Sequence, residues 1–371
     1  VALHDGLYVG LISGTSADGI DAALVRFRNE RPALVAGLTH PWDENLRRRI
    51  LAVAQDEERL DLDAYGRLDV AVARAFAEAT HAVLAKAGVA ASEVAAIGSH
   101  GQTIRHRPDG DLPFTLQIGD PSVIAENTGI DTIGDFRRPD VAAGGQGAPL
   151  VPAFHATVLR PREGARVVLN LGGIANVTRL TSDGGVTGFD TGPANGLMDA
   201  WCLRHRGEAY DRDGRFALSG TVDPDLLAEL LDDAYFVLPP PKSTGREHFH
   251  LGWLDRHPRV AELAPEDVQA TLLSLSAVSI TDAIREHAGD ALDIVACGGG
   301  VHNLALMQAI AMRLEDKALV VSADFDIDPD LMEAMGFAWL AYRRLRGEPG
   351  NLPAVTGAKG PRLLGALYAA P

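Results

Sequence analysis

The sequence predicts an α/β protein built from two units of one layout. Three observations predict it. A run of three short strands with tight turns opens the chain and recurs from about residue 166. Helical and strand segments alternate after each run. Glycine-bearing turns fall at equivalent places in the two halves, although no sequence repeat underlies them. The length, 371 residues, exceeds what one small core needs.

In the first run, Gly6 to Gly10 and beyond, Ala22 to Phe27, and Ala33 to Leu38 read as strands. Two helical segments follow. In the second, Leu68, Val72, Phe76, Ala79 and Val83 recur at steps of three and four as one apolar stripe, and Gly88 stops the helix. Val94 to Ile97 reads as a short buried strand ending in Gly98-Ser99-His100-Gly101. Phe114 to Ile118 is the next strand, Gly119-Asp120-Pro121 starts a helix, and Ile130 to Ile133 is a further strand. Ala142 to Pro149 is the expected boundary, because no regular element runs through its small residues and terminal proline. This gives domains over 1–148 and 149–371, with the C-terminal segment able to pack back on the first.

The second run comprises Arg166 to Leu171, Asn176 to Thr181 and Val186 to Phe189, turned by Gly172-Gly173 and by Asp183-Gly184-Gly185. Leu273, Ala277, Ile280, Ile284 and His287 line one face of a long helix. Ile294 to Ala296 is a buried strand ending in Cys297-Gly298-Gly299-Gly300. A helix over Leu304 to Leu314, a strand over Leu319 to Val321, and a helix with the stripe Leu331, Met335, Ala338, Tyr342 and Leu345 complete the chain. Two such units are expected to face each other across a cleft. Ligands of these folds sit at the carboxyl ends of strands, where the glycine turns fall.

Composition narrows the partners. The 34 Lys and Arg against 50 Asp and Glu give a formal charge of −16. Such a surface repels nucleic-acid phosphates and anionic membranes, while a local pocket for a phosphorylated small molecule stays open. The two cysteines, Cys202 and Cys297, supply neither a disulfide framework nor a zinc spacing. No apolar run approaches the roughly twenty residues that span a bilayer. No signal-peptide pattern opens the chain, and the expectation is a soluble cytoplasmic protein.

Four segments have the residue types for chemistry. Gly14-Thr15-Ser16-Ala17-Asp18-Gly19-Ile20-Asp21 joins two strands. Its N–H groups and hydroxyls suit phosphate oxygens, and Asp18 or Asp21 suits a Mg²⁺ between carboxylate and phosphate. A hairpin turn decorated with Asx hydrogen bonds accounts for the same residues. Asn170-Leu171-Gly172-Gly173-Ile174-Ala175-Asn176 is the matching turn of the second unit, and neither is a Walker loop. Asp190 in Gly188-Phe189-Asp190-Thr191-Gly192-Pro193 sits between strand end and helix start, where a carboxylate serves as a base in phosphoryl transfer or simply as a helix cap. Cys297 to Asn303 joins strand to helix, and its glycines leave room for a flat ring.

Other polar segments are less specific. Ser99-His100 with Gln102 and Thr103 lacks the G-x-S-x-G elbow, and neighbours on a strand point to opposite faces, so sugar contacts or structural hydrogen bonds fit better than a hydrolase pair. His248-Phe249-His250 lacks further metal ligands and reads as surface histidine. Lys242 and Arg246, in the polar loop after Pro239-Pro240-Pro241, suit a carboxylate or solvent. Glu333 lies off the last helix's stripe and suits either the cleft or solvent.

Together the segments LISGTSADGIDAALV, GSHGQTIRHRP, LQIGDPSVIAE, DFRRPDVAAGGQGAPLVPAFH, NLGGIANVT, GFDTGPAN, PPPKSTGREHF, CGGGVHN and EAMGFAWLA resemble the anhydro-N-acetylmuramic acid kinases. These belong to the sugar kinase, chaperone and actin ATPase superfamily. The resemblance runs through nearly the whole chain. It implies two actin-like, ribonuclease H-like domains with ATP and Mg²⁺ between them. Gly14 to Asp21 and Asn170 to Asn176 would be the phosphate loops, Gly298, Gly299 and Gly300 would lie near the adenosine, and Asp190 would be the catalytic base. Ser99, His100, Gln102, Thr103 and Glu333 are the expected sugar contacts and Asp18 the expected metal residue. Ile12-Ser13 stands where many members of the wider superfamily have an Asp, which weakens that metal placement. The implied reaction opens 1,6-anhydro-N-acetylmuramic acid with water and phosphorylates O6, in peptidoglycan turnover; a homodimer is expected at family level. A conventional sugar kinase acting on a free hydroxyl and an actin-like nucleotide switch are the rival readings.

Overall fold

The structure, a computed structural model, describes residues 5–14, 16–55, 58–245 and 248–371. In chain order the first elements are β1 Gly6–Ser13, β2 Ile20–Arg28, β3 Arg31–His40, α1 Glu44–Ala54, α2 Leu62–Ala87, β4 Val94–Arg107, β5 Phe114–Ile118, α3 Pro121–Thr128, β6 Thr132–Gly134, α4 Arg138–Ala142 and α5 Pro152–Val158. There follow β7 Ala165–Leu171, β8 Ile174–Thr181, β9 Val186–Pro193, α6 Asn195–Arg206, α7 Arg215–Leu218, α8 Pro224–Leu231, α9 Leu251–Leu254, α10 Pro265–Ala288, β10 Ala291–Cys297, α11 Leu304–Arg313 and β11 Ala318–Val321. The chain ends in α12 Met332–Leu345, α13 Pro353–Thr356 and β12 Ala366–Tyr368.

These elements form two compact units, Val1–Val158 with Asp330–Pro371, and Leu159–Pro329. The division differs from the boundary at 148 read from the sequence. The small-residue stretch is internal to the first unit, because Asp140, fully buried, accepts from Gly147 N at 2.8 Å, Asn351 Nδ2 at 2.7 Å and Thr356 Oγ1 at 2.8 Å. One buried carboxylate thus ties the glycine segment to the C-terminal segment. Leaving that carboxylate unpaired would cost several kcal/mol of desolvation, on the order of 3 to 5.

In the first unit the sheet runs β12-β6-β4-β1-β2-β3, with β5 paired to β4. β1 is antiparallel to β2 and parallel to β4. Val9, Leu11, Leu24 and Ile97 pack under the stripe Leu68, Val72, Phe76, Ala79 and Val83 of α2. On the other face α12 lies directly on the strand backbones. A Cβ at Gly10 would stand 1.8 Å from the Ala334 carbonyl oxygen, and one at Gly98 2.1 Å from that of Phe337. Strand β4 does not end at Ile97. Pairing with β1 continues to Gln102 and pairing with β5 runs to Arg107, while Gly101 at φ +71° takes the bend.

In the second unit the sheet runs β11-β10-β7-β8-β9, with β7 antiparallel to β8 and parallel to β10. Val167, Leu169, Leu272, Leu275, Ile280, Ile284 and Ile294 make its core. β9 continues past Phe189 to Pro193, so Pro193 closes a strand and α6 begins two residues later.

Candidate active site

The expected site residues fall in two sets, one within each unit. In the first unit, β1 and β2 are joined by the turn that holds Gly14 to Gly19; Thr15 lies outside the described residues. Ala17 N donates to Gly14 O at 3.0 Å, and Ala17 sits at φ +48°, a backbone state that costs an L-residue roughly 1 to 2 kcal/mol. Three side chains hold this conformation. Gln102 Nε2 donates to Gly14 O at 3.1 Å, Arg47 Nε to Ala17 O at 2.8 Å, and Trp42 Nε1 to Ser13 Oγ at 3.3 Å. Ile20 and Gly19 are buried behind the turn.

Its two carboxylates differ. Asp18 is exposed and paired with the Arg47 guanidinium at 3.2 Å. Asp21 is half-buried at the start of β2 and accepts from Thr39 Oγ1 at 2.6 Å. Desolvation, and then the nearby carboxylates of Glu333, Asp330 and Asp18, push it up to about 6 against that hydrogen bond. Glu333 opens α12; burial raises its pKa, and the Arg137 guanidinium opposes the rise. Among the described residues no group of three or more His, Cys, Asp or Glu is arranged to hold a metal ion. Asp18 holds its exposed carboxylate in a surface ion pair, the kind a cation readily displaces.

Of the residues expected at the sugar, His100, Gln102 and Thr103 have partners inside this unit. His100, buried against the Phe337 ring, has Nδ1 2.8 Å from Gly101 O, so that nitrogen donates. Its Nε2 then accepts from Arg137 Nε at 2.8 Å. The ring is neutral, and burial followed by the Arg137 charge holds its pKa well below the ordinary value. Gln102 supports the turn, and Thr103 Oγ1 accepts from Gln117 Nε2 at 3.1 Å. Ser99 faces the other way, as alternation on a strand requires. With His100 it still lines one polar cavity of about 170 Å³, beside Tyr65, Asp69, Asp120 and Tyr368, and its buried Oγ has no partner among the described residues.

In the second unit the two glycine turns meet. Gly172 and Gly173 turn β7 into β8, and the α6 start docks on them through Asn195 N to Gly172 O at 3.1 Å and Gly196 N to Gly173 O at 3.0 Å. Gly298, at φ +82°, follows β10 beside β7. A Cβ there would stand 2.4 Å from Asn170 Oδ1, and one at Gly300 2.6 Å from Leu171 Cβ. Gly299, by contrast, has open space where a Cβ would go. Asn170, Gly172, Gly173 and Gly298 to Gly300 therefore make one backbone-lined surface at the carboxyl end of the sheet.

Asp190 lies beside that surface. It pairs across the ladder with Asn176 of β8. It is a strand residue and caps no helix, since the α6 N-cap is Ala194. Its N donates to Lys242 O at 3.1 Å, its carbonyl accepts from Tyr235 Oη at 2.6 Å, and its Oδ2 accepts from Thr244 N at 3.0 Å. Lys242, expected at a ligand carboxylate or in solvent, instead donates to the carbonyls of Tyr235 and Phe236, both at 3.1 Å. His248, expected as an ordinary surface residue, is 3.0 Å from Asp233 Oδ2. Arg246 and Glu247 lie outside the described residues.

Sequence reasoning missed Arg137, Asp330, Arg47 and Asn195 as site-forming residues. Arg137 and Asn195 lie in segments that had drawn notice, DFRRPD and GFDTGPAN, but only the fold shows what they touch.

With β5 and the edge strand β12 of the first unit set aside, each unit's strands run 3-2-1-4-5 in their own order, β3-β2-β1-β4-β6 and β9-β8-β7-β10-β11, with the first three an antiparallel meander. That doubled layout, with polar turns at the carboxyl strand ends, is the ribonuclease H-like fold of the actin-like ATPases and sugar kinases. The profile of the family described as anhydro-N-acetylmuramic acid kinase matches residues 6–370. A protein of Xanthomonas campestris pv. campestris (strain 8004) with that name is 57% identical over 370 residues, 99% of this chain and 98% of its own. One of Saccharophagus degradans is 48% identical, covering 99% and 100%. The chain belongs to the anhydro-N-acetylmuramic acid kinase family. No helix among the described residues is long and apolar enough to cross a membrane.

Proposed function

We propose that the chain opens 1,6-anhydro-N-acetylmuramic acid with water and phosphorylates the freed O6 from ATP, with Asp190 as the base. As a member of its family the chain is a kinase of cell-wall sugar recycling. One observation carries the assignment of Asp190: a carboxylate held at backbone and side chain, next to the glycine turns of the second unit. Such a group is pre-oriented, as a general base has to be.

In this reading Asp190 takes a proton from a water whose oxygen attacks the anomeric carbon. The bond from that carbon to O6 breaks, O6 accepts the γ-phosphoryl group, and N-acetylmuramic acid 6-phosphate and ADP leave. The N–H groups of Gly14 to Gly19 and of Gly172-Gly173 bind phosphate oxygens, and Gly298 to Gly300 accept the adenosine. Glu333 contacts the sugar; Ser99, on the face of β4 away from α12, is left out of that contact. His100 and Gln102 act from behind, fixing Arg137 and the first turn, while Thr103 holds Gln117. Magnesium neutralises phosphate charge in such transfers, and the exposed Asp18 carboxylate, paired only at the surface with Arg47, is the residue that would face it. The protein is further read as a cytoplasmic homodimer; a monomer in sedimentation would overturn that part.

Asp190→Asn is expected to lower turnover by at least about 10²-fold, the scale of a lost general base, with ATP still bound. Near-normal turnover removes Asp190 from the role. Running the reaction in ¹⁸O water separates the proposal from a conventional kinase. Label in the sugar product supports ring opening by water, and its absence defeats it.

A further inference from the structure

We infer that the segment Tyr235 to Thr244 is a strap that aims Asp190, with Thr244 as the positioning residue through its backbone N–H. The inference rests on the reading of Asp190 as the base. β9 is the outer strand of its sheet, so Asp190 has a ladder neighbour, β8, on one side only. The strap supplies the other side. It accepts the Asp190 N–H at Lys242 O, 3.1 Å, and donates to the Asp190 carbonyl from Tyr235 Oη, 2.6 Å. Thr244 N then reaches the side chain itself, 3.0 Å from Oδ2. One short segment thus fixes both backbone groups and one carboxylate oxygen of the same residue.

The strap is closed on itself. Lys242 Nζ donates to the carbonyls of Tyr235 and Phe236, and it sits 4.7 Å above the Tyr235 ring. Burial lowers its pKa by desolvating the ammonium. The Phe236 ring presses on Gly192, two residues beyond Asp190. A Cβ at Gly192 would come within 2.7 Å of Phe236 Cε1. Between these anchors stand Pro239, Pro240 and Pro241, whose rings restrict φ and limit the loop's freedom.

The consequence is chemical. A carboxylate turns easily about its Cβ–Cγ bond, and a base misplaced by about 1 Å can lose on the order of 10² in rate. Donation from Thr244 N fixes that rotation. It also favours the charged carboxylate, which is the form that accepts a proton.

The test compares Thr244→Pro, which deletes the N–H, with Thr244→Ala, which keeps it. Turnover, the KM for the anhydro sugar and the pH profile are read for both in the full chain with ATP. The expected result is a kcat about 10- to 100-fold lower for the proline variant than for the alanine variant. KM should differ by less than about threefold, and the acid limb of kcat should move to higher pH. A kcat within threefold of the alanine variant, an unmoved acid limb, or a loss confined to KM overturns the inference. If circular dichroism shows the proline variant unfolded, Tyr235→Phe takes its place. A lower kcat at unchanged ATP affinity supports the strap, and an unchanged kcat overturns it. Asp190→Asn is run alongside. Normal turnover there sinks the reading of Asp190 itself, whereas an inactive Asp190→Asn beside an unaffected Thr244→Pro sinks the strap alone.

Discussion

Three histidines of the first unit are held as neutral rings, His100 and His155 buried and His106 half-buried. His100 is held well below its ordinary 6.5 by burial and then the Arg137 charge. His106 is lowered to about 4, also by burial before Arg137. His155 is lowered to about 3 by burial alone. Above pH 6.5 folded and unfolded rings are equally neutral, so nothing is gained or lost. Below it the unfolded chain takes up protons that the folded chain refuses, until about pH 4 at His106 and about pH 3 at His155. Each ring then costs up to about 1.4 kcal/mol per pH unit. Asp21 runs the opposite way. Raised from 3.8 to about 6, it destabilises the fold above pH 6 and is relieved as pH falls towards 3.8. Asp69 and Glu333, also raised by burial, run the same way, but all three carboxylates are only half-buried whereas His100 and His155 are buried. The urea midpoint of the first unit is expected to fall between pH 6.5 and 4, and His155→Gln to make that fall shallower. A midpoint that rises over this range would show the raised carboxylates, Glu333 included, to dominate. None of this was legible in the sequence, where His100 read as a sugar contact or a structural hydrogen bond. A histidine's charge depends on what the fold places around it.

At the scale of elements, α12 shows what close packing demands. All but one of the residues from Met332 to Tyr342 are buried, so a single stripe does not describe the helix. Its carbonyls approach the backbones of β1 and β4 so closely that Gly10 and Gly98 admit no side chain. Gly98→Ala is expected to destabilise by about 3 kcal/mol or more, because the added atom meets backbone rather than a yielding side chain. Gly66, exposed in α2 with nothing near its would-be Cβ, is the counter-case. Gly66→Ala should stabilise by about 0.5 to 1 kcal/mol. Equal urea midpoints for the two variants would refute this account. The α2 stripe was legible because 3.6-residue periodicity is local. The length of β4 was not, since pairing with β1 and β5 carries it past the glycines that seemed to stop it.

For the whole molecule, chain order and unit membership part company. The second unit is the continuous segment Leu159–Pro329, with its own sheet and core. The first needs Asp330–Pro371, because α12 covers one face of its sheet and Asn351 and Thr356 satisfy Asp140. A fragment of residues 159–329 is therefore expected to unfold cooperatively on its own, as an autonomous domain does. In a fragment of residues 1–329 the second unit should keep its transition while the first loses its own. A two-transition profile preserved in the 1–329 fragment would show the C-terminal segment to be dispensable.

By itself the sequence determined the doubled strand meander, the helices with a clear apolar period, the glycine turns and the order of segments that marks the family. These are signals written in neighbouring residues. Tertiary structure decided that Arg47 occupies Asp18, that His100 is a neutral acceptor for Arg137, and that Asp190 is gripped by Lys242, Tyr235 and Thr244. Each joins residues about thirty to more than fifty positions apart. Their charge, tautomer and aim are set by desolvation and hydrogen bonds that exist only once the chain has folded.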